Sequence, residues 1–433
     1  MRRASLLGLG LVLLARAGAQ SLTVDDLKAA GALGIPVEEA RKVQSVLGQL
    51  LVVNVDGFGY SGPLALEPGF DTMVSRLQIG GVIPHYGSTS YERIRRTNRY
   101  LAGLTTEPLL ICADIIKLAA GGRVESFGDG YVGGFIGRFS ALPDDPFSTL
   151  AELNAFAFAA LGVNVALGPT VDTSTRDPRT ADRAAAVVRA LRAYGIPAVL
   201  KHFPFLPAGA NLHRESPDTK LPPTDAERRF TIFRDLASSA DILMTTHLLD
   251  SAVDRTIVTF SPAWNSILRE RTGYGGLLMT DGLLMLSHYE DRRGLAAGAG
   301  EVLRPADFPW IDEAARWAAR AILAGHDMVI VEGSAAQTVR VFNGLLRAAC
   351  GSSTASRALR ERILQSAARI ASWKSDRGPA LRRSVEVGAP TMARLIALLP
   401  PDGASDAALA SFRFDAAGLA ALQPARQAAT APR

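Results

Sequence analysis

Eight short apolar segments, each closed by a polar residue, recur along the chain and alternate with amphipathic segments of helical length. Their apolar parts are rich in Val, Ile and Leu, which is typical of strands buried in a parallel sheet. Strand alternating with helix predicts an α/β fold, and eight such units predict a single-domain (β/α)8 TIM-type barrel. The eight segments are Gln49–Asp56, Gly81–His85, Pro108–Asp114, Val163–Asp172, Ile196–His202, Ile242–His247, Gly276–Asp281 and Asp327–Glu332.

The segments between the strands have the length and spacing of helices. An open, doubly wound sheet is the alternative architecture, but no glycine-rich phosphate loop follows the first apolar segment. The predicted helices include Tyr91–Leu104, Thr149–Leu161, Ala181–Tyr194, Asp225–Ala237, Ser261–Thr272 and Ile311–Ala324.

Residues 1–19 have the three parts of a secretory signal peptide. Arg2 and Arg3 provide the positive start, Leu6–Leu14 is a short apolar run, and Ala17–Ala19 is a small-residue cleavage site. The apolar run is too short to span a bilayer, and no later stretch is long and apolar enough to do so. We therefore expect an exported protein, periplasmic or extracellular, with no integral membrane segment in its mature form.

The remaining chain predicts one folded unit with a tail. Residues 22–47 read as a helix that Thr23 or Asp25 can cap. The barrel with its flanking helices is expected over 20–375, ending in a helix over 335–373 that breaks near Gly351. Residues 376–433 form an Ala- and Pro-rich extension that we expect to be loosely ordered after 400.

The charge pattern argues against nucleic-acid binding. Residues 1–19 contain three arginines and no acidic residue, so the formal charge falls from +5 to +2 in the mature chain. Its basic residues are scattered, whereas a nucleic-acid interface clusters them. The spacing of Cys and His indicates no metal site, and we expect no cofactor and a monomer. Cys112 and Cys350 read as core residues, with a disulfide between them left open.

Polar residues that close neighbouring strands meet at one face of a barrel, where active sites form. Asp281 stands out because apolar residues flank it on both sides, and a buried charge there needs compensation. Its position suits an N-cap of the following helix equally well. The residues that close the eight segments are Asp56, His85, Asp114, Asp172, Lys201 with His202, His247, Asp281 and Glu332.

Several motifs, in order along the barrel, resemble those of glycoside hydrolase family 3, in particular its single-domain bacterial β-N-acetylglucosaminidases. Thr280–Met285 resembles the Ser-Asp-Asp-Leu-x-Met motif, in which the first Asp is the nucleophile. Lys201–Pro204 is identical to the family's Lys-His-Phe-Pro, and Gly121–Val124 to its Gly-Gly-Arg-Val. Met244–His247 is similar to Met-Thr-Ala-His, and Ala324–Met328 to Ala-Gly-Asn-Asp-Met.

The resemblance implies a retaining, two-step displacement in which Asp281 forms a glycosyl-enzyme. Single-domain members place an Asp-x-His dyad, which provides the acid and base, on the loop after Lys-His-Phe-Pro. His213 falls on the histidine of that dyad, and Asn211 replaces its aspartate. An amide can orient the imidazole but supplies no charge to stabilise its protonated form. Glu215 is the alternative acid.

The resemblance also implies a set of residues that hold sugar hydroxyls. Lys201 and His202 match such residues, and Asp114 ends its strand as the family's hydroxyl-binding Asp does, although four residues are inserted between it and Gly121. The full expected set is Asp114, Arg123, Arg176, Lys201 and His202.

The implied function is removal of terminal β-N-acetylglucosamine from cell-wall or chitin-type sugars. Two alternatives stay open on the sequence: a catalytically impaired barrel that binds glycans, and a glycoside phosphorylase.

Overall fold

The computed structural model describes residues 20–54, 69–84, 89–113, 116–119, 123–126, 139–171, 179–205, 223–288, 313–382, 385, 387–400 and 404–430. The predicted signal peptide lies outside them.

All eight predicted strand segments form parallel strands of one sheet, so the predicted (β/α)8 barrel is confirmed. The strands are β1 Leu51–Asn54, β2 Gly81–Ile83, β4 Leu110–Ala113, β7 Val165–Ala166, β8 Val199–Phe203, β9 Ile242–Thr245, β10 Leu277–Gly282 and β11 Met328–Glu332. Their order around the sheet is β7-β4-β2-β1-β11-β10-β9-β8. Parallel bridges from Ala166 to Ala198 and from Thr170 to Lys201 join the two ends of the sheet and nearly close the barrel.

Three further strands form a small antiparallel sheet in the order β3-β6-β5: β3 Thr89–Ser90, β5 Ile116–Ala119 and β6 Arg123–Ser126. β5 lies within the stretch between Asp114 and Gly121 that is longer than the family pattern. The extra residues therefore build one strand of a hairpin, and Arg123 begins its partner strand.

Helices surround the barrel, and apolar side chains of helices and strands fill the space between them. The helices are α1 Val24–Ala29, α2 Val37–Leu47, α3 Phe70–Leu77, α4 Tyr91–Ala102, α5 Asp144–Leu161, α6 Thr180–Ala193, α7 Pro223–Ala237, α8 Pro262–Thr272, α9 Glu313–Ala324, α10 Ala335–Ala349, α11 Thr354–Leu381, α12 Ala389–Leu398, α13 Asp406–Ser411 and α14 Ala416–Thr430. Short 3-10 helices cover Gly48–Leu50, Val258–Phe260 and Leu283–His288.

The single helix predicted over 22–47 is wrong, because the segment forms α1 and α2. Gly31 adopts a positive φ of 67°, and Pro36 precedes α2, so the chain turns between them. The predicted cap is confirmed: the Thr23 hydroxyl accepts from the Asp26 N–H at 3.2 Å, and the Asp26 carboxylate accepts from the Thr23 N–H at 2.8 Å. The break near Gly351 is also confirmed.

The tail differs from the expectation of loose order after 400. Residues 404–430 contain α13 and α14, in which Leu409, Leu422 and Ala429 are buried. Alanine has the highest helix propensity, and the few apolar side chains at helical spacing give these helices a face to bury.

Candidate active site

Asp281 is the penultimate residue of β10 and lies at the end of the barrel where the carboxyl ends of its strands meet. One carboxylate oxygen, Oδ1, accepts from the N–H of Gly282 at 2.8 Å. The side chain is 20% exposed. A carboxylate that the backbone holds through one oxygen and that is partly exposed can act on a ligand.

A β-bulge sets the orientation of the backbone at Asp281. The register between β10 and β11 shifts by one residue, because Met279 pairs with Met328 and Gly282 with Ile330. At this bulge the Thr280 hydroxyl accepts from the Ile330 N–H at 3.0 Å. Bulges often re-aim a side chain next to a site, and Asp281, the predicted nucleophile, lies within this one.

Lys201 and His202 reach the same end of the barrel from β8. The His202 Nε2 lies 3.7 Å from the Asp281 Oδ2, and its side chain is 15% exposed. Lys201 is buried. Its strand is tied to the segment after β7, because the Val171 N–H donates to the Lys201 carbonyl at 2.8 Å. The structure therefore brings His202 and Asp281 together, with Lys201 next to His202 on β8.

His247 follows β9, is fully buried and contacts the segment next to Asp281. A carbonyl can only accept, so the His247 Nε2–H donates to the Gly282 oxygen at 2.8 Å. The Thr259 hydroxyl lies 2.7 Å from the opposite nitrogen, Nδ1. His247 thus holds the carbonyl of Gly282, the residue that follows Asp281.

Glu332 is a functional candidate that sequence reasoning only counted among the strand-closing residues. It ends β11, and its Oε2 accepts from the Leu284 N–H at 2.7 Å. A Cβ on Gly282 would lie 2.5 Å from the Glu332 Cδ. The one available signal was the glycine at position 282, where the family motif has a second aspartate.

The remaining predicted residues stay predictions. Asp114, Arg176, Asn211, His213 and Glu215 lie outside the described residues. The backbone of Arg123 lies in β6, on the sheet that follows β4.

The described part of the chain includes no cluster of His, Cys, Asp or Glu that could hold a metal ion. Cys112 and Cys350 are free, buried thiols, so the disulfide left open by the sequence does not form. Burial raises the pKa of Cys112 to about 12 and that of Cys350 to about 11.

Among the described helices, none combines the length and apolarity needed to cross a membrane.

The fold and the strand-end carboxylate define a (β/α)8 barrel with an active-site face of the type that glycosidases use. The family model "Glycosyl hydrolase family 3 N terminal domain" matches residues 42–372. The chain belongs to glycosyl hydrolase family 3, as its motifs indicated.

Individual relatives agree with this family. A β-hexosaminidase from Nitrosomonas eutropha is 29% identical over 271 residues, which are 52% of this chain and 73% of that protein. A glycoside hydrolase family 3 β-N-acetylglucosaminidase from a Paenibacillus species is similar in structure, with a TM-score of 0.59 and 21% identity over 82% of this chain and 67% of that chain. For the β-N-acetylhexosaminidase from Beutenbergia cavernae the TM-score is 0.58, with 20% identity over 77% of this chain and 98% of that chain. These structures share the fold.

Proposed function

We propose that the protein is a retaining glycosidase that removes terminal β-N-acetylglucosamine from cell-wall or chitin-type sugars, with Asp281 as its nucleophile. The main support for this proposal is that Asp281 lies beside His202 at the C-terminal end of a glycosyl hydrolase family 3 barrel. The β-hexosaminidase relatives support the choice of an N-acetylhexosamine as the sugar.

The proposed reaction has two steps. The Asp281 carboxylate attacks the anomeric carbon, and the bond to the leaving oxygen breaks as that oxygen takes a proton from the acid. Water then gives a proton to the same group, now a base, and its oxygen displaces Asp281. The sugar hydroxyls are proposed to be held by the predicted substrate-binding residues Asp114, Arg123, Arg176, Lys201 and His202.

A panel of aryl β-glycosides tests this proposal. We expect release of the aryl group from the β-N-acetylglucosaminide and strong loss of release in Asp281→Ala. Normal turnover in that variant would end the assignment of Asp281, and preference for another sugar would change the proposed substrate.

His213 is proposed as the acid and base, and Asn211 makes it a weak one. General acid catalysis is typically worth about 10²–10⁴-fold, and Asn211 lacks the charge that stabilises an imidazolium. Nitrophenyl glycosides need little protonation, so Asn211→Asp should raise the rate on natural-type substrates more than on nitrophenyl ones. If His213→Ala leaves both unaffected and Glu215→Ala abolishes turnover of the natural type, the acid is Glu215.

The replacement of the dyad aspartate also favours a second candidate, a barrel that binds glycans without turnover. Calorimetry with cell-wall fragments would then show binding while every hydrolysis assay stays blank. Adding phosphate and searching for a sugar phosphate covers transfer to phosphate. Efficient hydrolysis by the purified protein excludes the binding-only candidate.

Export is proposed from residues 1–19. Their charged start, apolar run and small-residue site support cleavage after Ala19. N-terminal sequencing of the protein from its native host should begin at Gln20, and a retained Met1 would contradict the proposal.

A further inference from the structure

The turn after the nucleophile lacks a side chain that the family motif provides. Where that motif reads Ser-Asp-Asp, this chain has Thr280, Asp281 and Gly282. The missing aspartate would directly precede the 3-10 helix Leu283–His288. A carboxylate at such a position caps the helix by accepting from the N–H of its second or third residue. Gly282 cannot do so.

A carboxylate nevertheless lies at this place, and it comes from the neighbouring strand β11. The Glu332 Oε2 accepts the N–H of Leu284, the second residue of the 3-10 helix, at 2.7 Å. A Cβ built on Gly282 would lie 2.5 Å from the Glu332 Cδ and 2.7 Å from its Oε2. These separations are far too short for real atoms, so a side chain at position 282 and the Glu332 carboxylate exclude each other in this arrangement.

The hydrogen bond of Glu332 is one of four that fix the backbone on both sides of Asp281. The Asp281 Oδ1 accepts the Gly282 N–H, and His247 donates to the Gly282 oxygen. Thr280 holds the bulge on the other side of the nucleophile through the Ile330 N–H. Loss of the bond to Leu284 would remove the acceptor of the Leu283–Leu284 peptide and loosen the start of the 3-10 helix that follows Asp281 and Gly282.

We infer that Glu332 is a positioning residue for the nucleophile, and that its carboxylate replaces, from β11, the one that the family motif carries at position 282. It acts through the Leu284 N–H, without contact to the substrate. The kinetic part of this inference rests on the proposed glycosidase function. A misplacement of about 1 Å at a reacting group can cost on the order of 10²-fold in rate.

Exchange of the two side chains is the decisive experiment. Glu332→Ala should lower kcat on the aryl β-N-acetylglucosaminide by about 100-fold and leave KM within about threefold. Gly282→Asp alone should also be impaired, because two carboxylates then compete for one place. The double variant Gly282→Asp/Glu332→Ala should recover most of kcat, since it restores one carboxylate there. Glu332→Gln, which keeps an acceptor for Leu284, should stay within about threefold of the wild type.

Specific outcomes overturn the inference. One is a double variant no faster than Glu332→Ala, and another is a Glu332→Ala loss that lies wholly in KM. Thermal unfolding of each variant separates a misfolded protein from a folded, slow one.

Amide hydrogen exchange tests the capping without any turnover. Glu332→Ala should speed exchange at Leu284, and the double variant should slow it again. Unchanged exchange at Leu284 in Glu332→Ala contradicts the inference even if the protein is active. A wild type without turnover but with this exchange pattern refutes the glycosidase function and leaves the replacement of the carboxylate standing.

Discussion

Two carboxylates at opposite ends of the barrel, Asp327 and Asp281, differ in burial and in the charged side chains around them. Asp327, directly before β11, is fully buried, and Arg362 and Arg369 each approach it to 3.1 Å. Asp281, near the end of the adjacent β10, is 20% exposed, and His202 stands 3.7 Å away. A buried acid among cations cannot be removed without leaving their charges uncompensated, whereas a partly exposed acid with a distant partner is available to a ligand. Sites lie at the C-terminal face of such barrels, and the opposite face serves stability.

The largest expected effect separates function from stability at matched residues. Asp281→Asn should lower kcat by at least about 10³-fold, because an amide is no nucleophile. It should leave the unfolding midpoint nearly unchanged, since few bonds depend on its charge. The measurement is turnover of an aryl β-N-acetylglucosaminide together with urea unfolding.

Asp241→Asn is the matched control for that variant. Asp241 is 14% exposed and pairs with Arg377 at 2.6 Å, directly before β9. We expect this substitution to lower stability and leave kcat intact. A large loss of kcat in Asp241→Asn would contradict the assignment of activity to one end of the barrel and stability to the other.

Asp327→Ala should cause the largest loss of stability. Removal of one partner from a buried ion pair costs about 3–5 kcal/mol, because it leaves uncompensated charge. The Leu278 N–H, which donates to the Asp327 Oδ2 at 3.1 Å, also loses its acceptor. Urea unfolding measures the change in free energy. A variant as stable as the wild type would show that the arginines need no central acid.

Lys374 extends the comparison to a cation, because it is buried at the same end of the barrel as Asp327. Its Nζ donates to the Gln49 Oε1 at 2.8 Å and to the Gly80 carbonyl at 3.1 Å. Burial lowers the pKa of Lys374 to about 7, against the nearby Glu107, which raises it. Between pH values of about 7 and 10.5, the two pKa values of Lys374, its amine is mostly protonated in the unfolded chain and mostly neutral in the folded protein. The free energy of unfolding should therefore rise with pH over this range, by up to about 1.4 kcal/mol per pH unit.

Lys374→Met tests this contribution. Urea unfolding at several pH values from 7 to 10 should give a flatter pH dependence for the variant than for the wild type. A difference between the two proteins that stays constant with pH would contradict a depressed pKa at Lys374.

The smallest expected effect concerns a single arginine of the buried cluster. Arg369 is 37% exposed and shares Asp327 with Arg362, so Arg369→Ala should cost about 1 kcal/mol. The exposed pair of Arg41 and Asp25 is its control, and Arg41→Ala should change the unfolding free energy by no more than about 0.5 kcal/mol. Equal losses in urea unfolding for both variants would mean that the cluster acts as isolated surface pairs.

The sequence by itself determined the eight-stranded barrel, the family and the strand-end position of Asp281. Local patterns carry this information: buried parallel strands require apolar runs, and the motif around Asp281 is continuous in the chain. The same local reasoning failed at the N-terminal helices, where Gly31 and Pro36 interrupt an otherwise helical pattern.

Only the tertiary structure decided which side chains meet. Glu332 reaches the turn at Leu284 across 48 residues of sequence, and Arg362 reaches Asp327 across 35. Such contacts depend on strand register, on the bulge in β10 and on how α11 packs below the barrel, and no local pattern encodes them. Sequence therefore placed the proposed nucleophile, Asp281, and packing determined which residues hold the segment around it.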